Sequence, residues 1–76
     1  MRHYRETQRI KDLPKINLNK ATFDELICLP GIGPITANRI VEYRRQNGRF
    51  RNTEDLIFKL GLRQRLLDQI GFRLEV

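Results

Sequence analysis

Residues 22–40 slide onto residues 52–70 with like meeting like along the overlap. Leu26 meets Leu56, Ile27 meets Ile57, Gly31 meets Gly61 and Ile40 meets Ile70. The acids coincide in kind, Asp24 with Glu54 and Glu25 with Asp55, and Ile32 matches Leu62 as Asn38 matches Asp68. Thr22 and Asn52, both residues that cap helices, stand at the head of the two stretches. The order is cap, acid pair, apolar pair, glycine and returning apolar residue. It describes a helix, a tight turn and a second helix, repeated once. In one place the copies differ: the first turn reads Leu29-Pro30-Gly31-Ile32-Gly33-Pro34, while the second, Leu60-Gly61-Leu62-Arg63-Gln64, keeps one glycine and has lost the other.

Local signals divide the chain around this repeat. Thr22 stands three residues before Glu25, the spacing of a capping box, and predicts a helix over about 23–29 that Pro30-Gly31-Ile32-Gly33 stops. Pro34 suits the first position of the next helix, where its missing N–H leaves nothing unpaired. That helix turns Ala37, Ile40 and Val41 inward, and Gly48 ends it. Asn52 or Thr53 caps a third helix over about 53–59, Gly61 breaks it, and a fourth over about 63–70 buries Leu66, Leu67 and Ile70. Ile16–Asn19 reads as a short extended lead-in, and the tail from Phe72 to Val76, apolar at alternate positions, is expected to fold back on the core. Cys28, Phe23, Phe50, Phe58 and Phe72 are all expected inside. No β-hairpin signal occurs, so the fold class is all-α: a compact domain of four to five helices over residues 16–76. Its first unit covers about 22–47 and its second about 52–70. Residues 1–15, polar and without periodicity, read as a basic, mobile arm.

Size and charge limit what such a domain does. Seventy-six residues allow one small core and leave no room for a nucleotide-binding sheet, a barrel or a separate catalytic domain. The longest apolar run, Leu26 to Leu29, falls far short of the ~18 to 20 residues of a membrane span. The first 15 residues hold five basic and two acidic side chains, the pattern of neither a signal peptide nor an anchor. The single cysteine, Cys28, excludes an internal disulfide, and with only His3 beside it no zinc site built by this chain alone is expected. A net charge of +6, from 15 Lys and Arg against 9 Asp and Glu, points to a polyanionic partner, nucleic acid ahead of a membrane surface.

The first turn supplies a way of holding such a partner. Glycine permits positive φ and leaves no Cβ in front of the backbone, so another molecule can approach closely. Ile32 is expected to pin the turn to the core. The amides of Gly33, Ile35 and Thr36, at the start of the next helix, lack intrahelical partners and point outward, where the helix dipole favours an anion of phosphate size. The Thr36 hydroxyl is placed to reach the same phosphate, and Arg39 lies one turn on. Five arginines and one acid, Glu42, lie between Arg39 and Arg51. For Arg44, Arg45, Arg49 and Arg51 a solvated face and a ligand contact are both open. The second turn offers Arg63 and Arg65 where the first has Gly33 and Ile35, and arginine forks bind phosphate in two places at once. None of these contacts reads a base, so binding is expected to be indifferent to sequence.

The run from Ile16-Asn17-Leu18-Asn19-Lys20-Ala21-Thr22 through Glu25-Leu26 and Leu29-Pro30-Gly31-Ile32-Gly33-Pro34 to Tyr43-Arg44, Asn47-Gly48-Arg49-Phe50 and Glu54-Asp55-Leu56 resembles the helix-hairpin-helix domain of the ComEA family. Members are DNA-uptake receptors of bacterial competence. The resemblance covers about residues 16–70. It implies two tandem helix-hairpin-helix units with pseudo-twofold symmetry, gripping opposite strands across the minor groove of double-stranded DNA. Phosphate would be held at Gly31, Ile32, Gly33, Ile35, Thr36 and Arg39, with secondary contacts from Leu62, Arg63, Arg65 and Arg44. It also implies a monovalent cation, Na⁺ or K⁺, on the backbone carbonyls of Ile27, Leu29 and Ile32, and no other cofactor. Further partners would be proteins of a DNA-uptake or repair assembly, with the domain acting as a monomer.

The second hairpin is degenerate against the family pattern, with Gly61-Leu62-Arg63 in place of a repeated Gly-Ile-Gly. An extrinsic subunit of cyanobacterial photosystem II resembles the same fold, carries a degraded first hairpin and serves as a structural piece. A structural or protein-interaction domain on this scaffold is therefore the alternative function. Glycosylases and nucleases that carry such hairpins add a catalytic Asp or Lys and a base pocket in another domain. Those groups have no counterpart here, so the reading is a binding module and not an enzyme. The expected compartment is extracytoplasmic for a fragment of an exported protein and cytoplasmic for a complete chain.

Overall fold

The computed structural model describes residues 14–76; the arm expected over 1–15, apart from Pro14 and Lys15, lies outside the described residues, as does His3. Strand β1 (Ile16–Asn17) is followed by helices α1 (Phe23–Ile27), α2 (Pro34–Asn47), α3 (Asp55–Phe58) and α4 (Gln64–Ile70), a 3₁₀ turn (Gly71–Arg73) and strand β2 (Leu74–Glu75).

A capping box fixes the start of α1, and an asparagine bond closes the turn that leads into α3. Thr22 Oγ1 accepts the Glu25 amide at 3.1 Å and Glu25 Oε1 accepts the Thr22 amide at 2.9 Å, the full capping box. Asn52 Oδ1 accepts the Asp55 amide at 3.0 Å in the corresponding place ahead of α3. Pro34 opens α2, and Gly48, at φ +90°, closes it where a side chain would be strained. Arg44 and Arg45 in its last turn offset the negative end of its dipole. Helix α1 stops at Ile27, two residues before the expected end, because Leu29 precedes a proline and is biased out of helical ψ.

The core is a single cluster drawn from all four helices, β2 and the loops between them. Leu18, Leu26, Ala37, Ile40, Phe50 and Leu56 are wholly buried, and Leu29, Ile32, Leu60, Leu67, Ile70 and Leu74 nearly so. The matched pairs Leu26 and Leu56, and Ile40 and Ile70, thus all lie inside.

The described residues are mostly helical, as the all-α reading expects, with one short addition: β1 and β2 pair in parallel, Ile16 opposite Leu74 and Asn17 opposite Glu75. Leu18 adds a bond from its amide to the Glu75 carbonyl at 2.8 Å. The tail therefore folds back as anticipated, but it does so through a strand pairing that buries Leu74 alone, with Phe72 and Val76 exposed. Two expectations are corrected. Cys28 is exposed, its Sγ bonding the Asp24 carbonyl at the C-cap of α1. Of the four phenylalanines only Phe50 is buried; Phe23, Phe58 and Phe72 are exposed, since so small a core has few inward positions.

Candidate functional site

The first hairpin turns on Ile32, which is buried and donates its amide to the Leu29 carbonyl at 3.1 Å. Its two glycines are required for different reasons. Gly31 has φ +85°, and a Cβ there would stand 2.6 Å from Leu66 Cδ1 of α4. The positive φ favours glycine at that point, while the contact is with the terminal methyl of a side chain that can turn aside. Gly33 has φ −93° and ψ −177°, extended backbone that any residue adopts, and a Cβ on it would meet nothing within 4 Å. Arg63 occupies the matching position ahead of α4 with φ −79° and ψ 144°. Folding therefore does not explain glycine at 33. What glycine achieves there is to leave the surface in front of the helix start bare.

Helix α2 makes its first bond from the Ala37 amide to the Gly33 carbonyl at 2.9 Å. The amides of Gly33, Ile35 and Thr36 have no acceptor among the described residues and lie at the positive end of a 14-residue helix. The second hairpin is closed differently. Gly61 donates to the Ile57 carbonyl at 2.9 Å and Leu62 to the Leu56 carbonyl at 3.1 Å, two nested bonds that wrap the turn. In the first hairpin the Ile27 and Ile32 carbonyls accept no bond from a described residue, and the Leu29 carbonyl accepts only the Ile32 amide. Of the matching carbonyls in the second hairpin, Ile57 accepts the Gly61 amide, while those of Lys59 and Leu62 accept no bond from a described residue.

Both hairpins face one cleft of about 400 Å³. Gly31 and Thr36 line one side, Gly61, Leu62, Arg63 and Arg65 the other, and Leu66 and Gln69 complete it. Five of the residues expected from sequence to contact a ligand, Gly31, Thr36, Leu62, Arg63 and Arg65, are thus brought together, and Gln69 is added. Ile35 projects from the hairpin tip, 79% exposed, into a shallower hollow shared with Arg39, Phe23 and Pro34. Arg39 donates to the Leu60 carbonyl at the end of the second unit's first helix, where helix carbonyls lack partners. It ties the two hairpins together while its remaining donors stay at the surface. Among the described residues the one ion pair is Arg45 with Glu42, so Arg39, Arg63 and Arg65 have no carboxylate partner there.

Arg44 stands elsewhere. Its guanidinium donates to the Leu18 carbonyl at 2.7 Å and to the Ala21 carbonyl, clamping the lead-in onto α2. It does not line the cleft, and its fork is occupied by backbone rather than offered to a ligand. Arg44→Ala is expected to lower stability by about 1 to 2 kcal/mol, the worth of charged hydrogen bonds discounted for partial exposure. A urea titration should show a lower midpoint with unchanged slope, and the folded variant should bind its ligand as the parent does.

Asn19 has a structural part that residue type alone does not disclose. Its Oδ1 accepts the Phe50 amide at 2.6 Å and its Nδ2 donates to the Phe50 carbonyl at 3.1 Å, fastening the loop after α2. The pairing across 31 residues leaves no local signal.

No helix among the described residues is long and apolar enough to cross a membrane, and no cluster of three or more His, Cys, Asp or Glu there suits a metal. A family described as the helix-hairpin-helix motif matches residues 11–75. ComE operon protein 1 of Bacillus subtilis is 38% identical over 55 residues, covering 72% of this chain and 27% of that protein. Endonuclease/exonuclease/phosphatase family domain-containing protein 1 of Homo sapiens is 40% identical over 60 residues, covering 79% of this chain and 10% of that protein. An uncharacterised protein of Haemophilus influenzae is 39% identical over 56 residues, 72% of this chain and 50% of its own length. The chain thus spans between a tenth and a half of these curated relatives. No solved structure matches it significantly.

Proposed function

The chain belongs to the helix-hairpin-helix family, and from that premise we propose that it is a binding module for double-stranded DNA, gripping backbone phosphate through the amides of its first hairpin. Gly33, Ile35 and Thr36 donate from the helix start, the Thr36 hydroxyl and Arg39 flank them, and the absence of a Cβ at 33 lets the phosphate come close. The second hairpin is the pseudo-twofold mate of the first in a tandem pair. The matched caps, the matched buried residues and the left-handed glycines at 31 and 61 support that relation. It grips the opposite strand with Arg63 and Arg65, whose side chains replace the amide contacts its sequence has given up. Contacts to phosphate alone carry no base readout, so the module binds irrespective of sequence.

A monovalent cation fits the first hairpin on the Ile27, Leu29 and Ile32 carbonyls and would bridge them to the phosphate. At the second hairpin the matching Ile57 carbonyl already accepts the Gly61 amide. The module acts as a monomer, by binding and not by catalysis, in an assembly for DNA uptake or repair. The relative named for an endonuclease/exonuclease/phosphatase domain is matched over only 10% of its length, too little to carry that activity across.

One observation carries this reading: glycine at 33 where the backbone does not require it. Gly33→Val is expected to leave the melting temperature essentially unchanged, because extended φ and ψ suit a β-branched residue and the Cβ meets open space. Binding to a short duplex should weaken about tenfold or more as charge-assisted amide contacts, each worth roughly 1.5 to 3 kcal/mol, are held off. A variant that folds and binds duplex as tightly as the parent would favour the scaffold alternative instead.

A further inference from the structure

A second basic cleft lies at the far end of α2, formed by Asn47, Arg49, Arg51, Asn52, Asp55 and Lys59 and enclosing about 370 Å³. Arg49, Arg51 and Lys59 are exposed, and none has a carboxylate within ion-pairing distance among the described residues. The lone acid, Asp55, is turned to a structural task, its Oδ2 accepting the Arg51 amide at 2.9 Å. Three cations therefore converge on a polar hollow with one partly occupied carboxylate to oppose them. Such a surface complements a chain of phosphates.

Its position decides which phosphates. Amides at a helix start point along the axis, so a phosphate held at Gly33–Thr36 lies on the extension of α2 beyond its N-terminus. Asn47, which lines the second cleft, is the last residue of that helix. At 1.5 Å per residue the two ends of this 14-residue helix stand ~20 Å apart, so the Asn47 end of the second cleft lies a helix length from a phosphate held at Gly33–Thr36.

We propose that this cleft binds the backbone of a second DNA duplex, so that one copy of the domain bridges two. The bridging rests on the hairpin reading for the first duplex; the second cleft stands on its own residues.

Two measurements test it on the full chain. In the first, beads carrying an immobilised duplex capture a labelled free duplex through added protein at low salt. The parent should retain label, and the triple variant R49A/R51A/K59A should bind the immobilised duplex within about twofold while retaining roughly tenfold less label. Label retained equally by the variant would overturn the proposal, as would a parent that binds the beads and retains none. In the second, duplex is titrated into Gly33→Val and amide shifts are followed by NMR. Shifts confined to Asn47, Arg49, Arg51 and Lys59 support the second site whether or not the hairpin binds. No shifts there, or shifts with polyglutamate and none with duplex, would overturn it, the latter in favour of an acidic protein partner.

Discussion

Raising monovalent salt from about 50 to about 200 mM is expected to weaken duplex binding roughly 40-fold. Each phosphate neutralised by a cationic side chain releases condensed counterions and contributes a slope near −0.9 in log K against log salt. With the three cationic contacts placed at the hairpins, Arg39, Arg63 and Arg65, the slope is about −2.7, and a fourfold rise in salt gives the stated change. The Arg63 and Arg65 side chains, which face the hairpin cleft without acidic partners among the described residues, are prominent contributors. Removing both, as in R63A/R65A, should lower the slope by about 2. Gly33→Val should act differently, lowering affinity at every salt while leaving the slope alone, because backbone amides carry no net charge. A fluorescence-anisotropy series at several salt concentrations separates the two. A parent slope shallower than about −2 would leave too few phosphate contacts for two hairpins on one duplex.

That separation follows from what the two hairpins keep and lose. Gly31 and Gly33 look alike in sequence, and a glycine pair between helices suggests one shared purpose. The backbone distinguishes them: Gly31 sits at a positive φ that favours glycine, whereas Gly33 is extended and does not. Sequence alone does not make that distinction, because φ at a glycine is set by the turn around it. Caps were legible because they act within one helical turn; Thr22, Asn52, Pro34 and Gly48 each do locally what their residue type implies. The contacts that close the molecule were not. Arg44 reaches across 26 residues to Leu18, Asn19 across 31 to Phe50, and Ile16 pairs with Leu74 near the other end of the chain. No periodicity records such partners. Burial of the phenylalanines was misread for a related reason: hydrophobicity gives a residue a preference, but a core this small accepts few of the candidates, and geometry selects Phe50 over Phe23, Phe58 and Phe72.

Phe50 is where the loop after α2 joins the core, and Phe50→Ala is expected to cost about 3 to 5 kcal/mol. The side chain is wholly buried, its ring stacks on Tyr43 at a centroid separation of 5.0 Å, and its backbone is held in both directions by Asn19. A truncated side chain would leave a void between α2 and the lead-in that these fixed hydrogen bonds prevent from collapsing. Domains of this size have roughly 3 to 5 kcal/mol of stability to lose, so the variant should be largely unfolded at 25 °C, with its helical circular dichroism lost. Phe58→Ala is the control: that ring is 77% exposed, and its removal should shift stability by no more than about 0.5 kcal/mol. Arg49 and Arg51 flank Phe50, so burying its ring is what holds both exposed cations at the second cleft. A Phe50→Leu variant, which keeps apolar volume, should stay folded and retain duplex binding at the hairpins. If Phe50→Ala melted where the parent does, the loop would not be anchored as described, and the positions of Arg49 and Arg51 would lose their physical basis.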